Sequence, residues 1–128
     1  MSDWRLVYDG HDPEAEGLRE ALCTLANGYM GVRGAVPESS ADAVHYPGTY
    51  AAGLFDRLTT EVAGREVTNE SIVNLPNWLP VAVGGPDGWF DDRHARVVAH
   101  HVELHPRRAL LSRRPTFEDA GGRRLTLA

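Results

Sequence analysis

Apolar and polar residues alternate along much of this chain, most clearly near its end. Between Val97 and Leu104, Val98, Val102 and Leu104 fall on one face and His101, Glu103 and His105 on the other, the period of two of a half-buried strand. Ala109 to Arg113 follows a turn at Pro106, then Thr116 to Glu118, and Ala120-Gly121-Gly122 turns the chain into a last strand at Arg123 to Leu127. At the other end, Trp4 to Tyr8 reads as a first strand stopped by Asp9-Gly10. Tyr50 to Phe55 reads as another, a hairpin is expected at Ala63-Gly64-Arg65 between Glu61-Val62 and Glu66-Val67, and Pro86-Asp87-Gly88 reads as a further turn.

Glu14 to Ala26 is ambiguous. Leu18, Leu22 and Leu25 sit near helical spacing, but Asn27-Gly28 between apolar runs is a strong hairpin signal. Pairing is expected to override propensity here, giving strands at about Ala21 to Ala26 and Gly28 to Arg33. Val36 to Val44 is polar and rich in small residues, the pattern of a surface loop. Many short strands, regular turns and no long amphipathic helix predict an all-β antiparallel sandwich or open twisted sheet with few or no helices.

Composition narrows the function. The chain has 128 residues, 42% of them hydrophobic, which suits one globular domain, and its net charge of -5 argues against nucleic-acid and anionic-membrane partners. The late arginines (Arg107, Arg108, Arg113, Arg114, Arg123, Arg124) are interrupted by acids and histidines and read as solvated strand faces. A single cysteine, Cys23, excludes an internal disulfide. With no signal-peptide core and no membrane-length apolar run, a soluble cytoplasmic protein is expected.

Candidate chemistry is sparse. His101, Glu103 and His105 at i, i+2, i+4 could supply three zinc ligands, yet nothing else supports a metal, and a solvated outer face is the simpler reading. Asp91-Asp92 reads as a turn, since sequence neighbours on a strand face opposite ways. Gly28, Gly31 and Gly34 do not make a dinucleotide fingerprint. No catalytic, cofactor or metal residue can be assigned. Aromatic residues beside turns (Tyr29, Tyr46, Tyr50, Trp78, Trp89) have the composition of a surface that stacks on sugars or on another domain. Val-Asn-Leu-Pro-Asn-Trp-Leu-Pro, Val73 to Pro80, stands out: two prolines and two asparagines make a rigid connection that presents Trp78 between apolar, strand-like flanks.

Four segments carry a resemblance: Asn27 to Gly34 (Asn-Gly-Tyr-Met-Gly-Val-Arg-Gly), Tyr46 to Phe55, Glu66 to Asn69, and Val73 to Pro80. In order and spacing the chain resembles the N-terminal domain of glycoside hydrolase family 65, the family of maltose, trehalose and kojibiose phosphorylases and trehalose hydrolases, with Ala26 where the family's glycine is expected. The resemblance implies part of a galactose-mutarotase-like β-supersandwich, cut short at its C-terminal side. In the family that domain packs on an (α/α)6 barrel holding the catalytic acid and the phosphate site. It implies an inverting parent reaction on a disaccharide substrate, no cofactor, inorganic phosphate as co-substrate if the parent is a phosphorylase, and the barrel as partner, with a homodimer as a further possibility. Tyr50, Asn77 and Trp78 become the candidate contacts to the barrel or the rim of its pocket. The alternative is a stand-alone carbohydrate-binding or interaction module. Half a sandwich would leave strand edges and apolar faces uncovered, so the isolated chain is expected to dimerise or aggregate.

Overall fold

The first strand ends at Asp9, and Asp12 starts a helix. Its side chain accepts the Glu14 N–H at 3.1 Å, Pro13 follows at the first helical position, and Glu14 and Glu16 place negative charge on the first turn. In the computed structural model, which describes residues 4–85, 88–90 and 94–128, helix α1 therefore runs Pro13–Leu22, across residues expected in part to be strand. Capping and propensity hold the chain helical to Leu22, because the hairpin that follows needs only two residue pairs. Strand β2 is Leu25–Ala26 and β3 is Met30–Val32, with Leu25 opposite Val32 and Ala26 opposite Gly31. The turn is also shifted by one residue. Asn27 N–H donates to Met30 O, and Gly28 alone of the central Gly28-Tyr29 pair has positive φ, the II′ pattern, while Asn27 Oδ1 accepts the N–H groups of Tyr29 and Met30.

Strand β1 (Leu6–Asp9) pairs antiparallel with the long β9 (Arg96–His105), which pairs with β10 (Leu110–Glu118), which pairs with β11 (Arg124–Thr126). The two short strands expected over 109–118 are one strand: Pro115 lies within β10 opposite His100, and the register shifts only at Thr116/Phe117. β4 (Thr49–Ala51) joins β2 and β3 in a second sheet. The fold class is as expected, antiparallel β, with α1 the one α-helix among the described residues.

β5 (Phe55–Val62) and β6 (Arg65–Ile72) form a hairpin exposed along both strands. Its Ala63-Gly64 turn has both φ values positive, the I′ geometry that matches strand twist. One face carries the Arg57–Glu70 ion pair and the Thr59–Thr68 hydroxyl pair; the other carries Leu58, Val62 and Val67, all exposed.

Val73 to Pro80 follows β6. Its start is tied down by Leu75, which bridges to Thr49, but Leu79, Val81 and Val83 form no strand: Val81 N–H donates instead to Pro37 O, outside any ladder. The chain next pairs only at β7 (Gly84–Gly85) with β8 (Gly88–Trp89). The Pro86-Asp87 part of the expected turn, and Asp91-Asp92, lie outside the described residues.

The core is small. Cys23, the C-cap of α1, packs with Val102 and Leu104 of β9, flanked by Tyr8, Leu25 and Leu111, and Phe117 and Ala35 are also buried. Many large apolar side chains are exposed, among them Trp4, Leu6, Tyr29, Phe55, Ile72 and Trp89. Among the described residues no helix is long and apolar enough to cross a membrane.

Candidate functional site

Helix α1 is amphipathic the wrong way round. Glu16, Glu20 and Cys23, at i, i+4 and i+7, share its inner face, with both glutamates only 1% exposed, while Leu18 and Leu22 point outward at 63% and 50%. The inward carboxylates are matched by cations and backbone donors from later segments, and a polar layer results between the helix and its surroundings.

Glu20 is the hub. One carboxylate oxygen pairs with His45 Nδ1 at 2.8 Å, and the other accepts the Tyr46 N–H at 2.9 Å with Arg33 Nη2 4.0 Å away. Burial pushes the Glu20 pKa up, but these partners outweigh it and hold the carboxyl below its usual range; the same hydrogen bond raises His45. Asp42 orients the loop by accepting the Val44 and His45 N–H groups at 2.7 and 2.6 Å. Arg33 donates from Nε to Tyr46 O at 2.8 Å and from Nη2 to Gly17 O at 3.2 Å, and its guanidinium lies 5.5 Å from the Tyr46 ring centroid. Its backbone N–H reaches Gly48 O at 2.8 Å. From there Asn74 continues the linkage, accepting the Thr49 N–H at 3.0 Å and donating to Pro47 O at 3.2 Å.

The second half of the layer centres on Glu16 and His100. Arg19 Nη1 donates to Glu16 Oε1 at 2.9 Å and to Gly10 O at 2.8 Å, and the Arg19 guanidinium sits over the Tyr8 ring. His100 lies on the inner face of β9. Burial, then the Arg113 charge, lowers its pKa to about 4, so its imidazole is neutral near pH 7. Arg113 Nη1 donates to Gly34 O at 3.2 Å and its Nη2 lies 3.4 Å from His100 Nε2. Arg113 is thus not a solvated strand-face residue; it is drawn inward by the buried acids.

His11, Glu16 and His100 bring ligand-capable atoms within 4.8 Å of one another. The donor set suits zinc by type, but the surroundings oppose a cation. Arg19 already holds Glu16, and Arg113 beside His100 Nε2 assigns the imidazole proton to Nδ1, the nitrogen that faces Glu16 at 4.0 Å. On the outer face of β9 the expected alternative trio is spent in ion pairs: Glu103 contacts both His101 and His105, and His101 Nδ1 pairs with Asp9 at 2.6 Å.

The expected contact residues lie elsewhere. Tyr50 is half-buried in β4 opposite Gly31, with its ring against Gly48. Asn77 Oδ1 accepts the Leu79 N–H at 3.1 Å, and Trp78 is 65% exposed. Sequence reasoning passed over Glu16, Glu20, Arg33, His45 and Asn74. The available signal was that Glu16, Glu20 and Cys23 share a helical period as good as that of the leucines.

Beside the polar layer lies a cavity of about 530 Å³ lined by His11, Glu38, His45, His100 and Phe117 among others, and roofed by the loop from Val36 to Asp42.

The model of the glycosyl hydrolase family 65, N-terminal domain matches residues 6–128. The chain belongs to this family. An uncharacterized glycosyl hydrolase of Mycobacterium tuberculosis is 47% identical over 97% of the chain, which spans 9% of that protein. The trehalose 6-phosphate phosphorylase of Lactococcus lactis is 47% identical over 59% of the chain, matching 10% of its own length, and the kojibiose phosphorylase of Caldanaerobacter subterraneus is 29% identical over 94%, matching 14%. A solved structure from the human microbiome, described as a kojibiose phosphorylase, superposes with a TM-score of 0.76 at 22% identity, covering 89% of this chain and 16% of that one, and shares its fold. The chain therefore spans about a tenth to a sixth of the length of these relatives. In this family 65 domain, three of the four segments that carry the resemblance are joined by the polar layer: Asn27 to Gly34 through Arg33, Tyr46 to Phe55 through Tyr46 and Thr49, and Val73 to Pro80 through Asn74 and Leu75. The fourth, Glu66 to Asn69, lies on β6 of the exposed hairpin.

Proposed function

We propose that residues 1–128 are the first, non-catalytic part of the N-terminal β-sandwich of an enzyme that phosphorolyses or hydrolyses an α-glucosidic disaccharide. The observation that carries this reading is the mismatch between a small core and a large exposed apolar surface, in a chain whose relatives are about six to eleven times longer. Leu18 and Leu22 on α1, the Leu58–Val62–Val67 face of the hairpin and Trp78 are surfaces that a larger partner would cover. That partner is the catalytic barrel of the same polypeptide, which would carry the acid and the phosphate site. This domain would contribute no catalytic group or cofactor, and phosphate would enter only as co-substrate. Tyr50, Asn77 and Trp78 are assigned to the interdomain or pocket-rim contact, because Pro76 and Pro80 hold the tryptophan out rigidly.

Trp78→Ala tests the assignment in the polypeptide that carries this domain. A lowered melting temperature or impaired assembly is expected there, with little change in the isolated chain. Unchanged melting and kinetics in the longer polypeptide sink the interface role. An independent carbohydrate-binding module is the competing reading, favoured by glycan binding to a stable, monomeric 128-residue chain.

A further inference from the structure

The β5–β6 hairpin stands apart from the rest of the fold. Neither strand pairs with a third among the described residues, and both are exposed from end to end. A two-stranded ribbon is marginal in water by itself, and each of its free edges is a template for another strand.

The turn decides which groups those edges offer. With Ala63 and Gly64 as its two central residues, Val62 and Arg65 form the first hydrogen-bonded pair, and hydrogen-bonded and non-hydrogen-bonded pairs alternate from there. Phe55, Arg57, Thr59 and Glu61 therefore turn their backbone N–H and C=O outward on β5, and Glu66, Thr68, Glu70 and Ile72 do so on β6. The same eight residues share one face of the ribbon.

The two edges differ in charge. On β6 the outward set carries two acids and no base, so no register of β6 against its own copy forms an ion pair. On β5 it carries Arg57 and Glu61, placed symmetrically about Thr59. Antiparallel pairing of β5 with a second copy, about a two-fold axis at Thr59, sets Arg57 opposite Glu61 of the second copy and Glu61 opposite Arg57 of the second copy. Moving the axis by one residue puts Arg57 opposite Thr59 or Ala63 and loses both ion pairs. Inside the hairpin Arg57 pairs with Glu70, but Glu61 faces Glu66, a like-charge pair that costs stability, and neither of these acids meets a cation among the described residues.

We propose that β5 is a dimerisation edge, through which two copies of this chain join into one four-stranded antiparallel sheet, β6–β5–β5–β6, with Arg57 of each copy bridging to Glu61 of the other. Each Glu61–Glu66 pair thereby gains a counter-charge, and the two Leu58–Val62–Val67 faces lie side by side on one side of the joined sheet, still open. The pairing does not rest on the function proposed above.

Thr59→Cys and Thr68→Cys test it. Each removes the same Thr59–Thr68 hydroxyl contact, so they are matched, and the native Cys23 is buried and does not compete. Across the axis the two Cα atoms of residue 59 stand about 5.5 Å apart, within disulfide reach, whereas those of residue 68 are three strand spacings apart, about 14 Å. In a glutathione redox buffer Thr59→Cys is expected to form a covalent dimer, seen on non-reducing electrophoresis, at least tenfold faster than Thr68→Cys. Adding Glu61→Arg to Thr59→Cys should slow that reaction about tenfold, although the change relieves the Glu61–Glu66 repulsion and strengthens the hairpin itself, opposite effects that a purely internal role for Glu61 does not produce. Adding Arg57→Glu should slow it as well, and mixing the two charge variants should restore the rate through the mixed dimer. The proposal is overturned by equal crosslinking at positions 59 and 68, by none at either, by a rate indifferent to both charge changes, or by a mixture that reacts no faster than its components.

Discussion

Glu20 on helix α1 and His45 in the loop before β4 meet at 2.8 Å, 25 residues apart, with the Glu20 side chain 1% exposed. This contact closes the polar layer, since Glu20 also holds the Tyr46 N–H and faces Arg33. Glu20→Ala should destabilise the domain by about 3 kcal/mol, because it strands a partly buried imidazole and part of a guanidinium without their counter-charge. Urea denaturation of the two proteins checks this, and a loss below about 1 kcal/mol would show that the layer is solvated in solution.

The two inner histidines respond to pH in separate windows. His45 is raised above its ordinary 6.5 by Glu20, so its contribution is complete below pH 6.5 and fades as pH rises through the folded value. Glu20 is lowered from 4.5, and its share is present above that pH and fades only in stronger acid. His100 runs the other way from His45. With its folded value at about 4, the unfolded chain binds the extra proton, and stability falls as pH drops from 6.5 toward 4. His45→Gln should therefore flatten the stability profile above pH 6.5, and His100→Gln should flatten it below. Denaturation midpoints across the range decide both.

Asn74 fastens Val73 to Pro80 onto the β4 segment through Thr49 N–H and Pro47 O. Asn74→Ala should cost about 1–2 kcal/mol and raise amide exchange at Thr49. An unchanged exchange rate at that amide would mean the clamp is not formed.

Gly34 leaves no room for a side chain. A Cβ there would stand 2.6 Å from Cys23 Cβ and 2.8 Å from Cys23 O, against backbone that cannot swing aside. Gly34→Ala should destabilise by about 2 kcal/mol or more, whereas Gly10→Ser, whose added Cβ meets nothing within 4 Å, should suffer only from its positive φ. Thermal melting of both variants ranks them.

Leu18→Lys with Leu22→Lys should leave the stability of the isolated chain within about 0.5 kcal/mol and reduce its self-association, read by light scattering. In the longer polypeptide the same pair should lower the melting temperature. Equal behaviour in both settings would remove α1 from the interdomain surface.

What the sequence disclosed follows from how local each signal is. The Ala63-Gly64 hairpin and the alternation along β9 were legible because turn chemistry and a two-residue period act over a few residues. Three of the four resemblance segments proved to be in hydrogen-bonded contact, which order and spacing could not display. Helix α1 misled because hydropathy assigns Leu18 and Leu22 to the core. The inward face is instead chosen by Arg33, His45 and Arg113, which lie far along the chain and lower the cost of burying carboxylates. Arg113 among the late arginines was hidden for the same reason. Asn77 and Trp78 are candidates on the stiffness of the flanking prolines and Tyr50 on the resemblance, while the cavity, assembled from His11, the 36–42 loop, β9 and β10, has no contiguous signature.

The inward glutamates also set a schedule. A helix with an apolar inner face can settle on any greasy surface that appears, but α1 has nothing suitable to sit on until Arg33 and His45 exist. At about 5–20 residues per second, His45 leaves the ribosome roughly 1–5 s after Glu20, and the β9–β10 pair that supplies His100 and Arg113 emerges later still. Through that interval the nascent segment shows Leu18 and Leu22 on one side and, on the other, a Glu20 carboxylate that lacks its partners. That carboxylate gains them only when those later segments arrive.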